Sequence, residues 1–317
     1  MQNTNAQVQV AKRYRPKHDG FKRMETSEIV FKIFSYFFLT LFALICLYPF
    51  IYSIAAAFSG RLEFNAGDVI LFPVNPQIDA FVSIIQQPQF WNSYCNTLFI
   101  TLYGTIYCML IGILGGYALS KKRLFGHKFF NFMLVFTMWF TAGMIPMYLN
   151  YQATGSLMNS IGIGDDKWMI VVAMGMSAYN IILLRNAFEG VSPEIEEAAK
   201  VDGANEFQIC SRVYVPMSKA TIATVALFFG ISRWNGYFWA KQMLSITDAP
   251  LQVYIQDELE TINSGEGKYD LSTWNEVYAP QSLMYSMIIC AIIPILLVYP
   301  FIQKYFAAGV NLGGVKE

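Results

Sequence analysis

Long apolar segments restrict most strongly what this chain can fold into. The first covers residues 33–57, and about 20 apolar residues are enough for a helix to cross a bilayer. Because lipid cannot satisfy backbone N–H and C=O groups, such segments span as helices. Five more apolar segments follow, at about 97–119, 129–148, 168–185, 217–240 and 282–301. The sequence therefore predicts an all-α polytopic membrane protein, with six transmembrane helices in one transmembrane domain over residues 33–303.

The composition fits a protein of the lipid bilayer and argues against several other classes. Of the 317 residues, 55% are hydrophobic and 14% are charged, whereas charged residues make up about a quarter of a soluble protein. The formal net charge is zero, which argues against a nucleic-acid partner. The five cysteines are scattered, and the sequence has no Walker lysine loop, GxSxG or HExxH motif. We expect no metal site, no directly bound cofactor and no catalytic residue.

The predicted second span, at about 97–119, is rich in glycine. It contains Gly104, Gly112, Gly115 and Gly116. Small residues at such spacing let two helix backbones approach closely. We therefore expect this span to pack inside a helix bundle, and lining a pore is the secondary role.

The placement of lysine and arginine predicts the orientation, because cytoplasmic loops carry an excess of both. The segments of one side hold 16 of these residues, and those of the other side hold 4. The first set comprises 1–32, 120–128, 188–219 and 304–317, and the second comprises 58–96, 151–167 and 241–280. This asymmetry predicts a basic N-terminal tail and a C-terminal tail in the cytoplasm. It also predicts an extracytoplasmic loop over 241–280, whose acidic residues are expected to be solvated.

A polar segment interrupts the apolar spans at residues 192–216. Ser192 and Pro193, followed by glutamates, are typical of a helix start, because a hydroxyl caps the first turn and proline fits it. Asp202 and Gly203 then indicate a break before a second short helix, with Asp202 as its candidate N-cap. From these residues alone, the segment is either a surface connection between two spans or a docking surface.

The same segment resembles a known motif. The EAA motif of binding-protein-dependent ABC importer permeases is similar to Glu197-Ala198-Ala199-x-x-Asp202-Gly203-Ala204, followed by Val213-x-Val215-Pro216. From about residue 30 onward, the chain resembles the maltose-type carbohydrate uptake family 1, and specifically its G-like subunit. Departures from the usual residues occur at Cys210, Val215 and Ala220. The resemblance implies the type I ABC importer permease fold in a bacterial cytoplasmic (inner) membrane.

The resemblance also implies a role for the segment. In this family it forms coupling helices that seat in a groove of a cytoplasmic ATPase subunit. The residues assigned to ATPase coupling are Glu196, Glu197, Ala198, Ala199, Asp202, Gly203, Ala204, Arg212 and Pro216. The acidic face of Glu196 and Glu197 is expected to pair with basic groups of the ATPase, and the alanines to leave room for close contact. Arg212, with its apolar neighbours, is expected to anchor the second helix to the bundle.

The resemblance implies several partners and a sugar substrate. The expected partners are a second homologous permease subunit, a cytoplasmic ATPase dimer that binds ATP and Mg²⁺, and an extracytoplasmic sugar-binding protein. The chain itself would form half of the translocation pathway and leave ATP hydrolysis to its partners. Glucans, fructo-oligosaccharides and uronate-containing oligosaccharides all fit the sequence.

Three residues near one end of the predicted fifth span are candidates for contact with the sugar: Arg233, Trp234 and Asn235. Aromatic rings and hydrogen-bonding groups suit sugars, and a positive group would suit an acidic one. Alternatively, Trp234 is an interfacial anchor and Arg233 extends to the membrane surface, which is the preferred interpretation.

The alternative function is an ion-coupled secondary carrier or a channel subunit. Such carriers usually place ionisable residues in mid-membrane, and here only Arg233 qualifies, near the end of its span. A carrier also leaves the EAA-like segment unexplained. The sequence therefore favours the permease subunit.

Overall fold

The computed structural model describes residues 26–264 and 279–310, and every regular element in these ranges is a helix. The chain divides into two units, residues 1–50 and 51–317. The first unit contains most of helix α1 (Thr26–Ala57). Parts of the predicted N-terminal tail, outer loop and C-terminal tail fall outside the described residues. These parts are 1–25, 265–278 and 311–317.

The second unit begins within α1 and contains the other helices. Their bounds are α2 (Arg61–Ala66), α3 (Asp79–Ile85), α4 (Pro88–Ser120), α5 (His127–Trp139), α6 (Met144–Ser160), α7 (Lys167–Ala173), α8 (Ala178–Glu189), α9 (Pro193–Val201), α10 (Glu206–Ile209), α11 (Val215–Met217), α12 (Lys219–Trp234), α13 (Phe238–Met243), α14 (Leu251–Ser264) and α15 (Pro280–Val310). A π-helical turn, Cys210–Tyr214, joins α10 to α11. The C-terminal tail predicted from residue 304 thus begins inside α15.

Three helices are long and apolar enough to cross a membrane singly: Glu28–Ala57 of α1, all of α4, and Pro280–Pro300 of α15. Three bent pairs each make one further span if the two halves are counted together. The pairs are α5 with α6, α7 with α8, and Glu206–Met217 with α12. The resulting total of up to six spans agrees with the predicted all-α polytopic fold.

Two of the bent pairs replace the continuous helices expected over 129–148 and 168–185. The third pair contains only the α12 part of the helix expected over 217–240, which ends at Trp234 before the separate helix α13. All three pairs are sharply bent. Their halves are bent by 115°, 55° and 89°. The first two breaks contain Gly143 and Gly175, whose φ angles of 84° and 68° suit glycine and end a right-handed helix. The third break lies at Ser218, shortly after Pro216, which has no N–H for a helical hydrogen bond. Hydropathy does not distinguish a broken helix from a continuous one, so the sequence pattern predicted one helix where the structure has two.

Helix α4 packs closely against α8 and α12 through its glycines. A Cβ atom added to Gly116 would lie 2.9 Å from the Cβ of Leu184, and one added to Gly112 would lie 3.2 Å from the Cδ1 of Leu184. At Gly104 the same atom would lie 3.0 Å from the Cδ of Arg233. No heavy atom of the described chain lies within 4 Å of such an atom at Gly115. The predicted close packing is confirmed for three of the glycines, and Gly115 faces open space.

One buried apolar cluster joins α4, α8 and α12 to the polar segment. It consists of Cys108, Tyr117, Leu184, Phe188, Val191, Ile209, Cys210, Tyr214, Val225 and Phe229. Burial of apolar area on this scale is the main force that holds the helices together outside lipid. The cluster fixes the short helices α9 and α10 against these three helices.

The region predicted as an extracytoplasmic loop, 241–280, contains the helix α14. Its Leu251 and Tyr254 are buried in a cluster with Phe90, Leu283 and Met287. Two of its acidic side chains form ion pairs with one lysine, because Lys241 Nζ lies 2.7 Å from Glu260 Oε1 and 3.4 Å from Asp257 Oδ1. The hydrogen bond that Lys241 donates to Glu260, opposed by some desolvation, raises the pKa of Lys241. This region is therefore a packed helix with exposed ion pairs as far as residue 264, and not an open loop.

Candidate functional site

The polar segment folds as two short helices joined by a glycine turn. Helix α9 begins at Pro193, and Glu194 and Glu196 lie in its first turn, as predicted. The Ser192 side chain makes no capping hydrogen bond. At the other end, the amide of Gly203 donates to the Lys200 carbonyl and that of Ala204 to the Ala199 carbonyl, both at 3.0 Å. With Gly203 at φ 80°, this pattern is a Schellman motif, and the glycine is needed for the left-handed turn.

The prediction that Asp202 caps the second helix is wrong. Asp202 is the C-cap of α9, because the glycine turn separates it from the start of α10. The N-cap is Asn205, whose Oδ1 accepts from the Gln208 amide at 2.9 Å while Gln208 Oε1 accepts from the Asn205 amide at 2.9 Å. The spacing Asn-x-x-Gln in the sequence signals such a capping box and would have identified the start.

The surface around the glycine turn is partly apolar. Glu197, Ala198, Asp202 and Gly203 are exposed, as a docking role requires. Two large apolar side chains flank the turn and are also exposed, Val201 at 88% and Phe207 at 71%. Exposed apolar groups beside a polar rim are typical of interaction sites. The sequence analysis missed this pair, although both residues stand in the segment that it selected.

Other residues of the predicted coupling set face the protein. Ala199 and Ala204 pack against the buried cluster, as do Val213 and Val215, so the two alanines bring α9 close to the cluster. The side chain of Arg212 is exposed, and so is Pro216. The valines supply apolar anchoring here, whereas no described hydrogen bond or ion pair involves the Arg212 side chain, so the predicted anchoring by Arg212 is not found.

The Glu196 carboxylate points inward and is the centre of a polar network. Its side chain is 12% exposed. Oε2 lies 2.7 Å from Lys121 Nζ and accepts a hydrogen bond from the Tyr214 hydroxyl at 2.6 Å. Oε1 lies 2.6 Å from Lys200 Nζ and 3.3 Å from Arg123 Nη1. Glu196 is thus occupied within the chain, whereas Glu197 remains available for an external partner.

The network extends to the end of α4, which the distribution of lysine and arginine predicts to lie on the cytoplasmic side. Glu206 accepts a hydrogen bond from the Tyr117 hydroxyl at 2.7 Å and pairs with Arg123. Lys121 Nζ also lies 3.7 Å from the centre of the Tyr214 ring and 4.3 Å from that of Tyr117. Seven side chains therefore tie α9 and α10 to the end of α4.

The network sets the ionisation of its central groups. Burial by itself would raise the pKa of Glu196, but hydrogen bonds from Lys121, Lys200 and Tyr214 outweigh it and lower the pKa to about 2. Burial lowers the pKa of Lys121, and the hydrogen bond to Glu196 opposes that change. Glu196 is therefore fully ionised at neutral pH and available as a permanent counter-charge.

The Arg233 side chain is buried, at 4% exposure, and does not extend to a surface. Its Nη1 donates to the Ile170 carbonyl at 3.1 Å, and its Nη2 donates to the Gly175 carbonyl at 2.9 Å and to Cys108 Sγ at 3.0 Å. The interpretation of Arg233 as a surface-seeking side chain is therefore wrong. Arg233 therefore binds the backbone next to the break between α7 and α8, through the Ile170 carbonyl in the last turn of α7 and the Gly175 carbonyl in the break.

A cavity of about 480 Å³ lies beside Arg233, between the α7–α8 break and α12. Besides Arg233 it is lined by polar and aromatic side chains that include Ser177, Tyr179, Asn180, Phe228 and Ser232. The other two pathway candidates are absent from its lining. The Trp234 ring packs edge-on against Tyr94, with 6.2 Å between the ring centres, and the Asn235 amide donates to the Ile231 carbonyl at 3.0 Å.

Metal ligands do not converge in the part of the chain that the structure describes. No group of three or more His, Cys, Asp or Glu side chains there could hold a metal ion. The polar features of this part are instead the Glu196 network and the cavity beside Arg233.

Comparison with known proteins assigns this architecture to a family. Residues 20–312 match the family profile described as "Binding-protein-dependent transport system inner membrane component". The polygalacturonan/rhamnogalacturonan transport system permease YtcP of Bacillus subtilis is 36% identical over 90% of this chain and 98% of its own. The maltodextrin transport system permease MdxG of the same organism is 28% identical over 92% of this chain and 98% of its own.

A solved structure agrees with these relatives. The crystal structure of a bacterial ABC transporter involved in the import of the acidic polysaccharide alginate has a chain that is 38% identical. It superposes with a TM-score of 0.80 over 89% of this chain and 99% of its own. The chain therefore belongs to the family of binding-protein-dependent transport system inner membrane components, the multi-pass permeases of ABC importers.

Proposed function

We propose that this chain is one permease subunit of an ATP-driven importer of oligosaccharides, and that its substrates contain uronate units. The relative at 36% identity is named for polygalacturonan and rhamnogalacturonan, and the solved structure at 38% identity belongs to an alginate importer. Both names refer to acidic polymers. The maltodextrin permease, which handles a neutral glucan by name, is less similar at 28% identity.

The exposed turn between α9 and α10 carries this proposal. Val201 and Phe207 project on either side of Gly203, with Glu197 and Asp202 beside them, and no described residue covers them. We infer that this surface inserts into a groove of a cytoplasmic ATPase subunit, with the apolar pair buried and the carboxylates facing basic groups. Buried aromatic and apolar anchors usually contribute most of the binding energy of such an interface.

Residues 192–216, which we call the coupling segment, are held together firmly enough to move as one body. The Schellman motif and the capping box fix both ends of the glycine turn, and the Glu196 network fastens the segment to α4. When ATP closes the ATPase dimer, a displacement of the seated turn would therefore pass to α4 through the network and to α8 and α12 through the buried cluster. A second permease subunit would complete the pathway, and an extracytoplasmic binding protein would deliver the sugar.

Charge placement supports the orientation that this mechanism requires. The lysine and arginine excess favours the cytoplasm for both termini and for the coupling segment. The region from α13 to α14 would then face the binding protein on the opposite side.

The proposal is tested by sugar uptake into proteoliposomes that contain the full importer. We expect uptake of a galacturonate oligosaccharide to require ATP and the binding protein, and to be insensitive to ion gradients. Uptake that follows an ion gradient and ignores ATP would instead identify a secondary carrier.

The docking surface is tested with Glu197→Lys, which reverses a charge that makes no described hydrogen bond. We expect uptake to fall by about tenfold or more, as for loss of a charged contact at an interface, with membrane insertion intact. The control is Asp68→Lys, the same charge change at an exposed carboxylate between α2 and α3. Equal uptake by Glu197→Lys and wild type would refute the docking assignment.

A further inference from the structure

The break between α7 and α8 lies near the middle of the bent span 167–189. Residues 174–177 are not helical, and Gly175 has a positive φ. Irregular backbone at membrane depth is tolerated only where protein buries it or where it lines a water-filled cavity. Here both apply, because Arg233 binds the Gly175 carbonyl in the break and the Ile170 carbonyl just before it, and residues 174–177 line the 480 Å³ cavity.

Arg233 has capacity to bind more than the backbone. A guanidinium has five N–H groups, and the three hydrogen bonds to Ile170, Gly175 and Cys108 leave two of them for another partner. None of the ion pairs among the described residues includes Arg233. A buried cation without a counter-charge is costly, so a ligand that brings a negative charge is favoured there.

Asn180 adds a second polar group that is turned to the same cavity. The residue is 5% exposed, lines the cavity, and has no side-chain hydrogen bond among the described residues; its backbone amide donates to Ser177 Oγ at 3.4 Å. A buried carboxamide of this kind is normally hydrogen-bonded, to protein, water or ligand. Tyr179 and Phe228 offer ring surfaces beside it.

We propose that this cavity is a contact site for one uronate unit of the transported oligosaccharide, and that Arg233 faces its carboxylate. The carboxylate supplies the missing counter-charge, the Asn180 carboxamide and the Ser177 and Ser232 hydroxyls bind sugar hydroxyls, and an aromatic ring covers the apolar face of the sugar. The inference rests on the proposed function for the substrate class. It adds the residues that distinguish an acidic from a neutral sugar inside the membrane.

The site is tested by equilibrium dialysis of labelled tetragalacturonate against the assembled importer in detergent, without the binding protein. The same tetrasaccharide with methyl-esterified carboxyls is the neutral probe. Loss of one hydrogen bond to a charged group corresponds to about tenfold or more in affinity. We expect Arg233→Gln to weaken binding of the acid by about that factor and to leave the ester nearly unchanged, and Arg233→Lys to retain part of the preference.

A structural role of Arg233 gives a different result. If the guanidinium only holds the α7–α8 break, Arg233→Gln weakens both probes equally, which overturns the proposal. If the arginine variants do not assemble, Asn180→Ala is tested instead, and we expect it to bind the acid more weakly than the wild type does. Wild-type affinity of Asn180→Ala for the acid would also overturn the proposal. The control is Asn186→Ala, an exposed asparagine further along α8 that does not line the cavity.

Failure of the site and failure of the proposed function are distinguishable. If wild-type importer shows ATP-dependent uptake of tetragalacturonate but unchanged probe binding in Arg233→Gln, only the site is refuted. If the wild type takes up neutral oligosaccharides and no uronate, the proposed substrate class itself is refuted.

Discussion

The Tyr214 hydroxyl donates a hydrogen bond to the Glu196 carboxylate at 2.6 Å, which joins the π-helical turn after α10 directly to α9. The same oxygen lies 2.7 Å from Lys121 Nζ at the end of α4. One carboxylate therefore holds three elements together: helix α9, the π-helical turn after α10, and the end of α4. The EAA-like sequence begins at the exposed Glu197, whereas its neighbour Glu196 makes the ion pairs that hold the segment together.

Replacement of Glu196 by glutamine should loosen the coupling segment. The variant keeps the shape of the side chain but removes the charge that balances Lys121, Lys200 and Arg123. We expect the free energy of unfolding of the purified importer to fall by about 1–3 kcal/mol, the usual range for hydrogen bonds to a charged group, and its Tm to fall with it. We also expect more ATP to be hydrolysed per sugar transported, measured in proteoliposomes.

The matched control is Glu194→Gln, two residues earlier on the same helix. Glu194 is exposed and makes no hydrogen bond or ion pair that the described residues record. For the Glu194→Gln variant, we expect the Tm and the amount of ATP hydrolysed per sugar transported to remain at wild-type values. A similar loss in both variants would show that helix α9 responds to any change of charge and that the network has no special part.

Acidification should act through the same carboxylate. The pKa of Glu196 in the folded protein is about 2, below its ordinary value of 4.5. Its stabilising contribution is therefore complete above about pH 4.5 and is lost as the pH falls towards 2. The difference in Tm between wild type and Glu196→Gln should be constant from neutral pH to about pH 5 and should narrow below that. A difference that narrows already between neutral pH and pH 6 would contradict this assignment.

Gly203 should accept only residues that tolerate a left-handed backbone. At φ 80°, proline cannot fit, and alanine costs about 1–2 kcal/mol. Asparagine visits this conformation most readily among the other residues. We expect sugar uptake to decrease in the order Gly203→Asn, Gly203→Ala, Gly203→Pro, with ATP hydrolysis uncoupled from uptake in the proline variant.

The control for the glycine series is Gly164→Ala. This glycine has no positive φ, and no heavy atom of the described chain would lie within 4 Å of an added Cβ. Its uptake should match the wild type. Wild-type coupling in Gly203→Pro would show that the turn is not held rigidly during transport.

Local features of the coupling segment were predictable from the sequence, and distant contacts were not. Pro193 and Gly203 mark the start and end of α9 because each acts on its own backbone. The inward orientation of Glu196 depends on Lys121, which lies 75 positions earlier in the chain. No local pattern reports such a partner, and the sequence therefore grouped Glu196 with Glu197 on one docking face.

Arg233 illustrates the same limit inside the membrane. An arginine near the end of an apolar segment usually reaches the surface, so the hydropathy pattern favoured that role. Its actual partners are the Gly175 carbonyl, which lies in the break between α7 and α8, and the Ile170 carbonyl in the last turn of α7. The break depends on backbone conformation at a glycine, which hydropathy does not measure.

Two adjacent glycines of α4 allow a sharp test of helix packing. A Cβ atom at Gly116 would lie 2.9 Å from the Cβ of Leu184 and 3.2 Å from the backbone nitrogen of Arg185, so α8 would have to move away. We expect Gly116→Ala to cost about 1–3 kcal/mol, as overpacking of a close contact usually does. Gly115→Ala meets no described atom within 4 Å and should be neutral or stabilising by up to about 1 kcal/mol, because alanine favours the helix. The Tm of the two purified variants measures the difference. Equal values would mean that α4 and α8 are not in close contact at Gly116 in the assembled importer.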